Sequence, residues 1–112
     1  MTTFYVYRAK LARVVDGDTL RLSMDLGFRI YHEVIVRMAR IDAQARATEK
    51  GKQAAIWLQG RLEGMPSITV RTLKDRVDQY GRYLAELNDP ANGMSINDEL
   101  LATGLVEAWP PK

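Results

Sequence analysis

Three short stretches hold the residue types from which a hydrolytic site is built: Val15-Asp16-Gly17-Asp18-Thr19, Arg37-Met38-Ala39-Arg40-Ile41-Asp42-Ala43 and Asp78-Gln79-Tyr80-Gly81-Arg82-Tyr83-Leu84-Ala85. Asp18 and Asp42 offer hard carboxylate oxygens to one divalent cation, with backbone carbonyls and water to complete its shell. Arg37 and Arg82 offer two planar forks that can clamp a phosphate and stabilise the charge that builds on it during attack. A metal beside them would polarise the phosphoryl oxygen, so the set suits phosphodiester chemistry. Each residue also has a purely structural reading. Asp16 and Asp18 suit a turn, Asp42 a loop cap at a strand end, and Arg37 an edge charge or ion-pair partner.

The elements that must position these groups follow from the pattern. Tyr5 to Val15 is rich in β-branched and aromatic residues and reads as a strand. Asp16-Gly17 marks a two-residue hairpin whose type I′ geometry needs positive φ. Thr19 to Met24 is expected as the second strand, Asp25 to Phe28 as a turn, and Ile30 to Ile41 as a long third strand. In that strand Val34, Val36 and Met38 share one face, and Ile35 and Arg37 the other. Ala43 to Thr48 reads as a loop. From Thr48 the period becomes helical: Gly51, Ala54, Ala55, Leu58 and Leu62 form one stripe, with Trp57 flanking it and Gly64-Met65-Pro66 ending it. Ser67 to Leu73 is predicted as the fourth strand, Lys74 to Tyr80 as a loop or wide turn, and Tyr83 to Leu87 as the fifth strand. Asn88 to Gly93 is a turn cluster. Ser95 caps a short helix that stops at Gly104. Three strands, a helix, two strands and a short C-terminal helix predict a mainly β (α+β) five-stranded Greek-key barrel of the OB type, with the helix between strands 3 and 4.

Composition narrows the chemistry. The 112 residues are expected to form one domain, 1–112, large enough to bury its own core. There is no cysteine and one histidine, His32, so thiol catalysis, disulfide scaffolds and histidine-rich metal cages are excluded. His32 reads as a strand-surface residue. Net charge is +2, but residues 1–56 carry +4 and residues 57–112 carry −2, and eleven of the sixteen basic residues are arginine. Arginine suits bidentate recognition of phosphate and carboxylate. No apolar run is long enough to cross a bilayer, so no membrane partner is expected. No basic-then-apolar leader opens this form, so a cytoplasmic location is expected, with a secreted mature form as the alternative. Lys50-Gly51-Lys52 reads as a solvated helix start, and Trp109 either covers the cleft or packs in the core.

The three stretches, in this order, resemble the staphylococcal nuclease (thermonuclease-like) family. That family shows a Val-Asp-Gly-Asp-Thr hairpin, an Arg-Leu-x-Gly-Ile-Asp-x-Pro-Glu strand and loop, and a Tyr-Gly-Arg-x-Leu-Ala segment. A helix of the type Val-Asn-x-x-Leu-Val-x-x-Gly-Leu-Ala follows, matched here by Ile96-Asn97-Asp98-Glu99-Leu100-Leu101-Ala102-Thr103-Gly104-Leu105-Val106. The likeness runs over roughly residues 8 to 109. It implies an OB-type barrel and a calcium-dependent nuclease acting on DNA or RNA, with single strands favoured. Carried over by position, the resemblance implies calcium ligands at Asp18, Asp42 and the carbonyl of Ala43, with Asp16 near the metal. It implies catalytic arginines at Arg37 and Arg82, a phosphate contact at Tyr80, and a base-stacking aromatic at Trp109.

The chain departs from the family pattern at two places. Gln79 stands where the family has a lysine, which weakens phosphate contact. Gln44-Ala45 stands where the family has Pro-Glu, and that glutamate is the family's general-base candidate. Alanine accepts no proton, and losing a general base costs ~10²–10⁴-fold in rate. Glu49, four residues on, is either a relocated base or a first-turn residue that complements the helix dipole. Two functions are therefore expected: a weak calcium-dependent nuclease, or a catalytically inactive barrel that binds nucleic acid or protein, as in degenerate repeats of Tudor staphylococcal nuclease proteins. A purely structural or assembly role is a third reading.

Overall fold

The computed structural model describes residues 4–77 and 82–109. Strands β1 (Phe4–Asp16), β2 (Thr19–Asp25) and β3 (Tyr31–Met38) form a meander, each antiparallel to the last. A two-residue strand β4 (Ile41–Asp42) and helix α1 (Glu49–Leu62) follow, then β5 (Ile68–Val77), β6 (Tyr83–Asn88), helix α2 (Ile96–Ala102) and β7 (Glu107–Ala108). The main sheet closes in the order β1-β2-β3-β6-β5, with β5 returning antiparallel to β1. Its one parallel contact joins β3 to β6 over Val36–Met38. The chain is thus a closed five-stranded mixed barrel with two helices, consistent with an OB-type barrel, and the expected helix lies between its third and fourth barrel strands.

Alternation places Leu20 and Leu22 of β2, Val36 of β3, Val70 of β5 and Leu87 of β6 inside the barrel, all fully buried. The predicted stripe of α1 is the buried face: Gly51, Ala54, Ala55, Leu58 and Leu62 all meet the core, and Trp57 packs against its edge. Thr48 caps the helix. Its Oγ1 accepts from the Gly51 N–H at 3.1 Å and donates to the Ala45 carbonyl at 2.8 Å. Ser95 caps α2 by accepting from the Asp98 N–H at 3.1 Å.

Four expectations change. The hairpin turn is centred on Gly17-Asp18, because Asp16 still pairs with Thr19. Neither Asp16 nor Gly17 adopts positive φ. Glycine is needed at 17 for space, since a Cβ there would stand 2.6 Å from the Ala54 Cβ and 3.0 Å from the Ala43 Cβ. The long third strand breaks at Ala39-Arg40, where Arg40 takes a left-handed φ of 70°. Such a residue costs of order 1–3 kcal/mol unless its surroundings hold it. Here the Arg40 carbonyl accepts from the Trp109 N–H at 2.8 Å, and its guanidinium engages Glu86 and Asp98. Beyond the break, Ile41 and Asp42 pair with Ala108 and Glu107, an additional small sheet that periodicity did not reveal. The segment expected as a loop from Lys74 remains β-strand through Val77, and the rest of it lies outside the described residues.

Two arginines tie α2 and its approach to the rest. Arg61 of α1 donates to Glu99 at 3.0 Å and to Asp89 at 2.9 Å. Its pKa is raised first by the Glu99 hydrogen bond and then by Asp89. Arg40 is likewise raised, first by its hydrogen bond to Glu86. Asp89 is held below the usual carboxylate range by the Ala91 N–H and then by Arg61. Among the described residues no helix is long and apolar enough to cross a membrane.

Candidate functional site

The site grows from the β1–β2 turn. Because that turn abuts α1 and the loop after β4, Asp18 points into the structure and is only 7% exposed. Its Oδ1 accepts from the Thr19 hydroxyl at 2.9 Å and its Oδ2 from the Ala43 N–H at 3.0 Å. The Asp18 carbonyl also accepts from the Met38 N–H at 2.8 Å, fixing the turn to the end of β3. A carboxylate taken out of water must be matched in this way.

Arg37 leaves β3 on the face opposite Val36 and lies beside both aspartates. Its Nη2 stands 3.2 Å from the Asp42 Oδ1 and 3.7 Å from the Asp18 Oδ2. Asp42 is more open, its side chain 48% exposed. Arg82, just before β6, donates from Nη1 to the Thr19 Oγ1 at 3.2 Å, and Thr19 in turn donates to Asp18. Asp18, Asp42, Ala43, Arg37 and Arg82 are therefore brought together from four places, the β1–β2 turn, β3, the end of β4 and the approach to β6, with Thr19 as the link between Arg82 and Asp18. A preorganised hydrogen-bond network of this kind holds charged groups in place before a ligand arrives.

The other expected residues fall differently. Glu49 opens α1, is exposed, and accepts from Gln53 at 3.1 Å. No contact among the described residues joins it to the aspartates, and its position fits the dipole-complementing reading. Ala45 is exposed in the loop before α1, with its carbonyl fixed by Thr48. Trp109 is 49% exposed and not a core residue; its backbone faces Arg40, two register steps from Asp42. Tyr80 and Gln79 lie outside the described residues.

Sequence reading missed several supports. Thr19 is buried and central to the network; it closes the Val15–Thr19 stretch, but nothing in its type or spacing gave it this linking role. Arg46 donates to the carbonyls of Val14 and Val15 at 3.2 and 3.1 Å, tying the post-β4 loop to the end of β1. Asn97 is fully buried. Its Oδ1 accepts from the Leu87 N–H at 2.9 Å, and its Nδ2 donates to the carbonyls of Ala39 and Ala85 at 2.9 and 3.2 Å. It fixes the break between Arg37 and Asp42 to β6. Glu107 stands opposite Asp42 in register. It does not make a third ligand, because no group of three or more acidic or histidine side chains is placed to hold a metal among the described residues.

The donor set sets a limit on any cation. Two carboxylates, one already accepting two hydrogen bonds, fall well short of the ~6–8 oxygens that calcium takes. They suit a hard divalent ion whose shell is completed by water and by phosphate oxygens of a bound ligand. Compared with protein-family models and with curated proteins, the chain matches none.

Proposed function

We propose that the cluster at the Asp18 turn takes a phosphodiester of single-stranded DNA or RNA, and that the domain is a weak calcium-dependent nuclease of the thermonuclease type. The observation that carries this reading is the convergence of Arg37, of β3, and Arg82, just before β6, on the turn that holds Asp18, with Asp42 of β4 paired to Arg37. Two guanidinium groups beside two carboxylates match the phosphate and its counter-cation together. The motif resemblance points the same way.

The geometry supports the following roles. Asp18 and Asp42 would hold a calcium ion, with the Ala43 carbonyl as the further ligand the resemblance implies. The ion, when bound, supplies Lewis-acid polarisation of the phosphoryl oxygen. Arg37 already sits between the two carboxylates, so it is placed to turn one N–H face toward a phosphate oxygen while remaining paired to Asp42. Arg82, positioned through Thr19, supplies the second donor set. Both arginines stabilise the extra negative charge of the transition state more than that of the ground state, which is what lowers a barrier. Position 45 offers no proton acceptor, and Glu49 is turned to Gln53. Turnover is therefore slow.

The second reading, an inactive module that binds nucleic acid or protein through the same barrel, is favoured by one feature: Ala45. A cleavage assay separates the two. Wild type should cut single-stranded DNA with calcium and not with chelator, and Arg37→Ala should abolish the activity. Cleavage that survives Arg37→Ala unchanged refutes the assignment, and absence of cleavage alongside intact binding favours the module.

A further inference from the structure

Directly opposed residues of neighbouring strands share one face of a sheet. Thr19 of β2 is opposed by Arg37 of β3, so the outer face of β2 leads away from the candidate site through Arg21, Ser23 and Asp25. Arg21 is the first step, two residues from Thr19 and about 7 Å along the strand. It is flanked in register by Ile35 of β3 and by Arg13 of β1.

Arg13 reaches that place through a bulge. Up to Leu11, β1 keeps one register on β2, with Lys10 opposite Ser23 and Leu11 opposite Leu22. Continued unbroken, that register would set Ala12 opposite Arg21 and turn Arg13 into the barrel beside Leu20. The register instead shifts between Leu11 and Arg13. Ala12 becomes the extra residue, and Arg13 and Arg21 oppose each other on the outer face while Leu11 and Val14 still meet the core. Bulges next to a site re-aim side chains in this way. The product is a like-charge pair, which destabilises an antiparallel ladder. Glu33 answers one member only, its Oε1 lying 3.3 Å from the Arg21 Nη1. Arg13 is exposed and makes no ion pair among the described residues. The other charges on this face of β1 and β2 stand apart from the pair: Asp16 opposite Thr19 at the near end, Lys10 opposite Ser23, and Arg8 opposite Asp25 at the far end. Asp25 also accepts from the Gly27 N–H at 2.8 Å.

Opposed residues have Cβ atoms about 4.5–5.5 Å apart, so two guanidinium forks there can close on a single phosphate. The pair also lies one step along the face from Arg37, a distance close to that between successive phosphates of an extended single strand. We propose that Arg13 and Arg21 form a second phosphate subsite, which takes the phosphodiester next to the one on Arg37 and runs the nucleic-acid strand along the outer face of β2. The first phosphate rests on the proposed function; the bulged arginine pair does not.

Thymidine 5′-monophosphate, with one phosphate, and an eight-nucleotide single strand separate the two subsites. Replacing Arg13 or Arg21 with glutamine should weaken the strand about fivefold each at low salt, the effect of losing one close charge pair in water. The double variant should also show a slope of log affinity against log salt shallower by about 0.7, one phosphate contact. The mononucleotide should bind all three variants as it binds wild type. Arg13→Gln should be at least as stable as wild type in urea, because it removes the opposed charge; a destabilised Arg13→Gln would mark the arginine as a structural support and overturn the proposal. An unchanged strand affinity and slope in the double variant, with Arg37→Ala weakening both ligands, overturns the second subsite and leaves the proposed function standing. A strand weakened by the double variant but not by Arg37→Ala or Arg82→Ala supports the arginine pair and overturns the phosphate reading of the Asp18 cluster instead. A mononucleotide weakened as much as the strand merges the pair with the first site and overturns a second one. If polyglutamate displaces the strand as strongly as an unlabelled strand does, the occupant is an acidic polypeptide and the nucleic-acid assignment falls.

Discussion

Replacing Asn97 with alanine removes a side chain that is fully buried and makes three hydrogen bonds. Each such bond contributes about 1 kcal/mol net, and a buried group left without a partner costs about 1–3 kcal/mol. The Leu87 N–H and the Ala39 carbonyl both lose the Asn97 partner, whereas the Ala85 carbonyl keeps the Ala39 N–H as a donor. The expected loss is therefore about 3–4 kcal/mol, a large share of the ~5–15 kcal/mol of a typical domain. The melting temperature should fall by roughly 15 °C. Urea unfolding should show a lower midpoint with an unchanged slope. Asn97→Asp sharpens the test, because a buried carboxyl has its pKa raised. Its folded pKa lies above the unfolded value of about 4, so beyond the fixed cost of one lost donor the penalty against wild type is smallest below that value, grows as pH rises through it, and levels off above the folded pKa. A loss below about 1 kcal/mol for Asn97→Ala, or a pH-independent penalty for Asn97→Asp, would refute the clamp role argued here.

Three further outcomes follow. Gly51→Ala adds about 1 kcal/mol of helix propensity, but its Cβ would meet the Ala45 carbonyl at 2.1 Å and that of Gln44 at 2.5 Å. Because the obstacle is backbone, the variant should lose about 2 kcal/mol net in denaturant unfolding, and a stabilised protein would show that the loop yields freely. The lowered pKa of Asp89 means its contribution is present above about pH 4 and lost as pH falls through the folded value, so the stability gap between wild type and Asp89→Asn should close in acid; a gap that widens there contradicts the Ala91 and Arg61 contacts. Ala45→Glu should raise calcium-dependent cleavage about 10²-fold, whereas Glu49→Gln should leave wild-type activity unchanged; the reverse pattern would make Glu49 the base.

The barrel was legible because its signals are local. Alternation from Thr19 to Met24, the Gly51–Leu62 stripe, and Thr48 and Ser95 as caps each report on a few neighbouring residues. The break of β3 was not, since the run from Ile30 to Ile41 holds no glycine or proline to mark a stop, and the left-handed Arg40 is held by distant partners, Glu86, Asp98 and Trp109. Gly17 was read for the right residue and the wrong reason: its constraint is Ala54 on a helix 37 positions away in sequence. The aspartates and arginines could be picked out by type and spacing. The groups that orient them, Thr19, Arg46 and Asn97, were given no such role, although Thr19 and Asn97 stand inside the motifs, because a hydrogen bond across the fold leaves no periodic trace.

The claim on which the account turns is that Arg37 and Arg82 bind one phosphodiester backbone. The direct measurement is the affinity for an eight-nucleotide single strand over a salt series, for wild type, each arginine-to-alanine variant and the double variant. Each lost phosphate contact should reduce the slope of log affinity against log salt by about 0.7, so the double variant should be shallower than wild type by about 1.4. Unchanged slopes, with affinity equal to wild type at every salt concentration, would contradict it.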